Sequence, residues 1–222
     1  MFMTMNDEIL VFTGRMAEKK WIFFDLGATL VDESDVYKSR CEYAIRQLNI
    51  SLVDFMNKVY EEAKISPTPI RTAAEAYGVV LPEWDNSLEK LYKAAPGVLS
   101  GLYGKYKLGI IANQSAGTQD RIDNWEIGQY FDIVVASAEA GCAKPDIRIF
   151  TMALNKAKCE PAEAYMVGDR LDNDILPAKK LGMKTVWVRQ GYARYQCIDD
   201  ECKRPDYIVD SIDELPDLFA RI

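Results

Sequence analysis

The stretch Trp21-Ile-Phe-Phe-Asp-Leu-Gly-Ala-Thr-Leu30 decides the fold. Four apolar residues run straight into Asp25, and Gly27 follows two positions later. Short apolar runs bounded by glycine and turn residues read as buried strands of a parallel sheet. The same pattern returns far downstream, where Ala164-Tyr-Met-Val-Gly168 ends in Asp169, with Asp174 a turn further on. If both runs lie in one parallel sheet, their carboxyl ends share an edge, and such sheets place ligands at that edge. Asp25, Asp169 and Asp174 then converge. Crowded carboxylates resist being ionised together, and a hard divalent cation with oxygen ligands, Mg²⁺ foremost, relieves the repulsion.

Outward from this strand the pattern changes. From 33 to 93 it is helical, with Tyr43, Ile45, Leu48, Leu52, Phe55, Val59 and Ala63 recurring at helical spacings. Pro67, Pro69 and Pro82 break it. No strand signal interrupts this segment. From Pro96 onward helices and strands alternate. Strands are predicted at Lys107–Asn113, Asp132–Ser137, Ala164–Asp169, Lys184–Arg189 and Asp206–Asp210. Helices are predicted near 97–105, 117–127, 146–158, 174–181 and 212–220. Such alternation defines an α/β doubly wound parallel sheet. A helical block inserted after the first strand sits over the sheet's carboxyl edge, as a small all-helical cap. The chain thus divides into an N-terminal tail of 1–19, holding at most a short helix, a core of 20–32 and 94–222, and a cap of 33–93.

Composition removes several rivals. With 222 residues, 49% of them hydrophobic, the chain can bury one sizeable core and a small second domain. A net charge of −7 argues against nucleic acid or an anionic membrane as partner. No apolar run approaches a membrane span, and Asp7 and Glu8 stand where a signal peptide needs basic then apolar residues. A cytoplasmic protein, monomeric or homodimeric, is the expectation. Its five cysteines are odd in number and scattered, which suits reduced thiols. Cys197 and Cys202 are the closest pair, and no second pair completes a zinc site. There is no histidine. Ser-His-Asp and Cys-His catalysis are therefore excluded, along with histidine bases and histidine metal sites. Acid–base and nucleophilic work falls to Asp, Glu, Lys, Tyr or Cys.

Four further positions carry chemistry. Gly27 and Ala28 open a turn in which backbone amides can approach an anion. Asn113, at the end of Leu108-Gly-Ile-Ile-Ala112, can donate to a phosphoryl oxygen. Lys144 precedes a helix start, where a cation opposes the macrodipole. An anion shared by the lysine and the helix end accounts for that placement. Asp169, Asp172 and Asp174 are more acids than one helix cap needs.

Taken in order, Asp25-Leu-Gly-Ala-Thr-Leu30, Ile110-Ile-Ala-Asn113, Ala143-Lys-Pro-Asp146 and Gly168-Asp169 with Asp174 resemble the motifs of the haloacid dehalogenase-like superfamily over residues 20–220. The resemblance implies a Rossmannoid core with a helical cap that shapes substrate choice. It implies that Asp25 is the nucleophile, that Lys144 stabilises it and the transferred group, and that Asp25, the Gly27 carbonyl, Asp169 and Asp174 hold Mg²⁺. Two positions depart from the phosphatases of that family. Gly27 stands where they carry a second aspartate as general acid and base, and Ala112 where they carry Ser or Thr. A missing proton shuttle costs a factor of about 10²–10⁴. Aryl and acyl phosphates are then the favoured substrates, unless another acid serves, with Asp32 and Asp172 the first candidates. The leading expectation is a Mg²⁺-dependent phosphatase of a small phosphorylated metabolite. The alternatives are a weakened binding or regulatory member, or a metal-independent haloacid dehalogenase, which has no need of both Asp169 and Asp174. Tyr60, Arg71 and Tyr77 are the cap side chains considered for reaching the pocket.

Overall fold

The computed structural model describes residues 20–198, 201 and 204–222. The expectations for the tail and for Cys202 fall outside these residues. The chain enters through β1 (Trp21–Phe24), whose side chains are buried on both faces. A two-residue strand β2 (Val31–Asp32) leads into three helices, α1 (Ser34–Leu48), α2 (Leu52–Ala63) and α3 (Pro69–Ala76). Pro69 does not break a helix but begins one, where its missing N–H leaves no orphan. The chain returns through β3 (Lys90–Leu91), which pairs antiparallel with β2 and closes the insertion at its neck. The reading of 33–93 as strand-free is corrected here. Two residues carry no alternation to detect, and only the proximity of chain exit and return makes them a strand.

The remainder alternates. It runs α4 (Ala95–Leu102), β4 (Lys107–Ala112), α5 (Thr118–Asn124), β5 (Ile133–Ala136), α6 (Ser137–Ala140), α7 (Ile147–Ala157) and β6 (Ala164–Gly168). Then come α8 (Leu176–Lys180), β7 (Lys184–Val188), β8 (Tyr207–Val209) and α9 (Leu215–Phe219). The helix expected at 97–105 lies earlier, because the chain turns through Gly104 at φ +83° to enter β4. The helix expected at 174–181 is a π-type turn, Leu171–Ile175, running into α8.

Among the described residues, six strands form one parallel sheet in the order β5-β4-β1-β6-β7-β8. This is the doubly wound α/β fold. The period of two along β1 divides the core. Ile22 and Phe24 pack with Leu99 of α4, Ile122 of α5 and Leu215 of α9. Trp21 and Phe23 face the other way, against Ile149 and Phe150 of α7 and Ala178 of α8. The helices α1–α3 have a third cluster of their own, built on Cys41, Phe55, Val59, Ile70 and Ala73. No helix among the described residues is long and apolar enough to cross a membrane.

Candidate active site

Register brings the acids together. β1 and β6 pair with Phe24 opposite Val167, so Asp25 and Asp169 leave adjacent strands at the same edge. The Asp25 amide donates to Val167 O at 2.9 Å and holds the first step out of the sheet in place. Asp174 arrives from the π-type turn, and its carboxylate tucks under β6. A Cβ at Gly168 would lie 2.5 Å from Asp174 Cγ, so only glycine leaves that space. Oxygen atoms of Asp25, Asp169 and Asp174 lie within 4.8 Å of one another.

Lys144 enters between them. Its Nζ is 2.7 Å from Asp25 Oδ1 and 2.6 Å from Asp174 Oδ1. Burial opposes its charge, but Asp174 and Asp25 outweigh burial and hold the ammonium above its usual range. Asp169 and Asp174 fare worse, because the one lysine pairs with Asp25 and Asp174 only. Burial, then the charges of Asp174 and Asp25, push Asp169 well above the carboxylate range. Burial raises Asp174 to about 6 despite Lys144. These are hard oxygen donors crowded beyond what the local cations neutralise, and that fits Mg²⁺.

The cavity over this cluster measures about 550 Å³, and Asp25, Asn113, Lys144 and Asp169 line it. Asn113 does more than face it. Its Nδ2 donates to Lys144 O at 2.9 Å, and its Oδ1 accepts from Lys144 N at 2.7 Å. This clasp ties the end of β4 to the loop carrying Lys144. The left-handed backbone lies at Ala28, with φ +51°, and not at Gly27. The amides of Thr29, Leu30 and Val31 all turn back to Leu26 O, which confines any nest of free amides to positions 26–28.

The two acids offered as substitutes for one at position 27 are otherwise engaged. Asp172 takes both ends of Arg170, at 2.9 and 2.7 Å, and accepts from Gln196. Asp32 caps the turn at Ser34 N. Sequence reasoning passed over Glu33, which lines the same cavity. It is buried, and Tyr37 Oη donates to its Oε2. Burial raises the Glu33 carboxyl to about 8, against the lowering effect of Tyr37 and with Asp25 adding to the rise. An acid and a tyrosine four residues apart on one helix face was the available signal.

A second chamber of about 500 Å³ adjoins the first and shares Ala28, Glu33 and Tyr37 with it. Its walls are tyrosines from both parts of the molecule: Tyr37 and Tyr60 from α1 and α2, Tyr192 and Tyr195 from the turn after β7. The Tyr37 and Tyr192 rings meet edge to face at 5.1 Å, and Tyr60 lies 5.0 Å from Tyr195. Of the three cap residues considered, Tyr60 thus lines a chamber beside the acids. Arg71 lines a separate small cleft with Trp84, and Tyr77 is exposed against Phe55. Arg170 Nη2 donates to Ser66 O at 3.0 Å, linking the acidic loop to the segment between α2 and α3.

The chain has known relatives. The family model of haloacid dehalogenase-like hydrolases matches residues 22–188, and the chain belongs to that family. Glyceraldehyde 3-phosphate phosphatase of Pyrococcus furiosus is 30% identical over 93% of this chain and 95% of its own length. Pyrimidine 5′-nucleotidase YjjG of Escherichia coli is 28% identical over 90% of this chain and 98% of its own. Among solved structures, a predicted phosphoglycolate phosphatase from Haemophilus somnus superimposes with a TM-score of 0.65. It covers 92% of this chain and 99% of its own at 20% identity, a likeness of fold.

Proposed function

We propose that the protein is a Mg²⁺-dependent phosphatase of a small phosphorylated metabolite, working in the cytoplasm through a phosphoaspartyl intermediate on Asp25. The observation that carries this reading is Lys144 bridging Asp25 and Asp174 beside Asp169, on the floor of a cavity at the sheet's carboxyl edge. The two sequence relatives named above are a phosphatase and a nucleotidase, which supports the same chemistry. Asp25, Asp169, Asp174 and the Gly27 carbonyl would hold Mg²⁺, which supplies positive charge to the phosphoryl oxygens when bound. Lys144 fixes one Asp25 oxygen, orients the carboxylate and faces the charge of the transferred group. The second N–H of Asn113 Nδ2 and the amides near Gly27 and Ala28 donate to phosphate. Residues 33–93 act as the cap that admits and selects the rest of the substrate.

A weakened, ligand-binding member is the second reading, favoured by the buried methyl of Ala112 where a hydroxyl would contact phosphate. A screen of phosphorylated metabolites, with and without Mg²⁺, separates the two. Metal-dependent release of phosphate that vanishes in Asp25→Asn is expected. Substantial turnover in that variant removes Asp25 from its role, and no turnover by wild type leaves the binding reading.

A further inference from the structure

At Gly27 it is the Glu33 carboxyl, and not the backbone, that a side chain would have to displace. The φ of Gly27 is not among the left-handed ones, so the backbone does not demand a glycine. The volume its side chain would enter is already filled: a Cβ there would lie 2.3 Å from Glu33 Oε1 and 2.9 Å from Glu33 Cδ. The Glu33 carboxyl therefore occupies the place into which a side chain two residues after Asp25 would point. It gets there from the entry of α1, its side chain folding back towards the turn that follows β1. Tyr37, one helical turn on, holds Oε2. Among the described residues no donor reaches Oε1, the atom nearest position 27, and no lysine or arginine pairs with this carboxylate. Glu33 borders both the acidic cavity and the tyrosine chamber. A phosphate ester whose phosphoryl group sits by Asp25, and whose alcohol half lies in the tyrosine chamber, would have its bridging oxygen at that border.

We propose that Glu33 is the acid and base for the leaving group, delivered to the site from the first cap helix in place of a residue at position 27. The proposal rests on the phosphatase reading above. In the first half-reaction an Asp25 oxygen bonds to phosphorus as the bond to the ester oxygen breaks. The electron pair goes to that oxygen, and Glu33 gives it a proton, so a neutral alcohol departs. In the second, water bonds to phosphorus while the aspartyl oxygen leaves with its electron pair. The water proton passes to Glu33, and both residues return to their starting forms. An acid at this point makes ordinary alcohols competent leaving groups. The substrate class then extends to alkyl phosphates, beyond the aryl and acyl phosphates that Gly27 alone favours.

The test is a series of phosphate monoesters, from alkyl phosphates to p-nitrophenyl phosphate, assayed with Mg²⁺ on wild type, Glu33→Gln and Gly27→Asp/Glu33→Ala. Glutamine keeps the shape and the hydrogen bond from Tyr37, so its fold is checked by an unchanged circular dichroism spectrum. Wild type should depend weakly on leaving-group pKa. Glu33→Gln should lose about 10²–10⁴-fold in kcat on alkyl phosphates, the worth of a proton shuttle, and less than roughly tenfold on the nitrophenyl ester. The double variant moves the acid to position 27 in the space that Glu33 vacates, and should recover part of the alkyl activity. Equal losses on alkyl and aryl esters in Glu33→Gln, or no loss on either, overturn the proposal while the phosphatase reading stands. A wild type inert on the whole series overturns that reading, and the proposal with it.

Discussion

At the scale of single residues, the site stores unfavourable charge, and that charge should be visible in stability. Asp174 and Glu33 are raised to about 6 and about 8, from ordinary values near 4. Such groups bind protons more tightly folded than unfolded, so their contribution is fully present at acid pH. It is lost as pH rises through the folded values. Melting curves of metal-free protein should therefore show Tm falling between about pH 4 and 8, the Asp174 share being spent by about pH 6, and Glu33→Gln should flatten the upper part of that fall. A Tm that rises across the window would contradict the burial argument. If the folded cluster holds Mg²⁺, as proposed, and the unfolded chain does not, the ion should raise Tm by mass action. The gain should be largest at pH 8, shrink as protons compete near pH 6, and disappear in Asp169→Ala. An equal gain in wild type and in that variant would move the metal elsewhere.

At the scale of elements, the site is a meeting of strand ends held by backbone contacts. Asp25 and Asp169 are neighbours because β1 pairs with β6, and Asp174 reaches them because Gly168 leaves room. Lys144 lies on a loop before α7, and the side chain of Asn113 is what joins this loop to β4. Asn113→Ala should then lower kcat by roughly 10–10²-fold through misplacement of Lys144, and Asn113→Asp, which keeps the Oδ1 acceptor, should lose less. Unaltered kcat in Asn113→Ala would mean that the loop is positioned without the clasp. The opposed requirements at positions 27 and 33 also belong to this scale, since a strand-end turn and a helix entry compete for one volume.

At the scale of the molecule, the separate cluster of buried side chains within α1–α3 implies two cooperative units joined at the β2–β3 neck. Phe55 belongs to the cluster of α1–α3, and Phe150 to the sheet. Truncating either fully buried ring to alanine should cost about 3–5 kcal/mol, but with different reach. Hydrogen exchange in Phe55→Ala should quicken within 34–79 while β1, β4 and β6 stay protected. Phe150→Ala should lower protection throughout. Uniform loss of protection in both variants would make the molecule one cooperative unit. The tyrosine chamber depends on the two units together, because Tyr60 comes from one and Tyr192 and Tyr195 from the other.

The fold could be read before any coordinates, because apolar runs such as 21–24 and 164–168 bury both faces, and a parallel sheet is the structure that does this. The convergence of Asp25 and Asp169 was legible for the same reason, since acids that end parallel strands share an edge, and Asp174 follows a turn later. Side-chain traffic across that edge was not. The clasp of Asn113 on Lys144, the bond from Gln196 to Asp172 and the two-residue neck strand depend on distances between segments that no spacing encodes. Glu33 is the clearest case. In the sequence it is one acid among several near a helix start, and Gly27 is a missing acid. Folding brings the two into one volume, where the glycine supplies the space and the glutamate fills it.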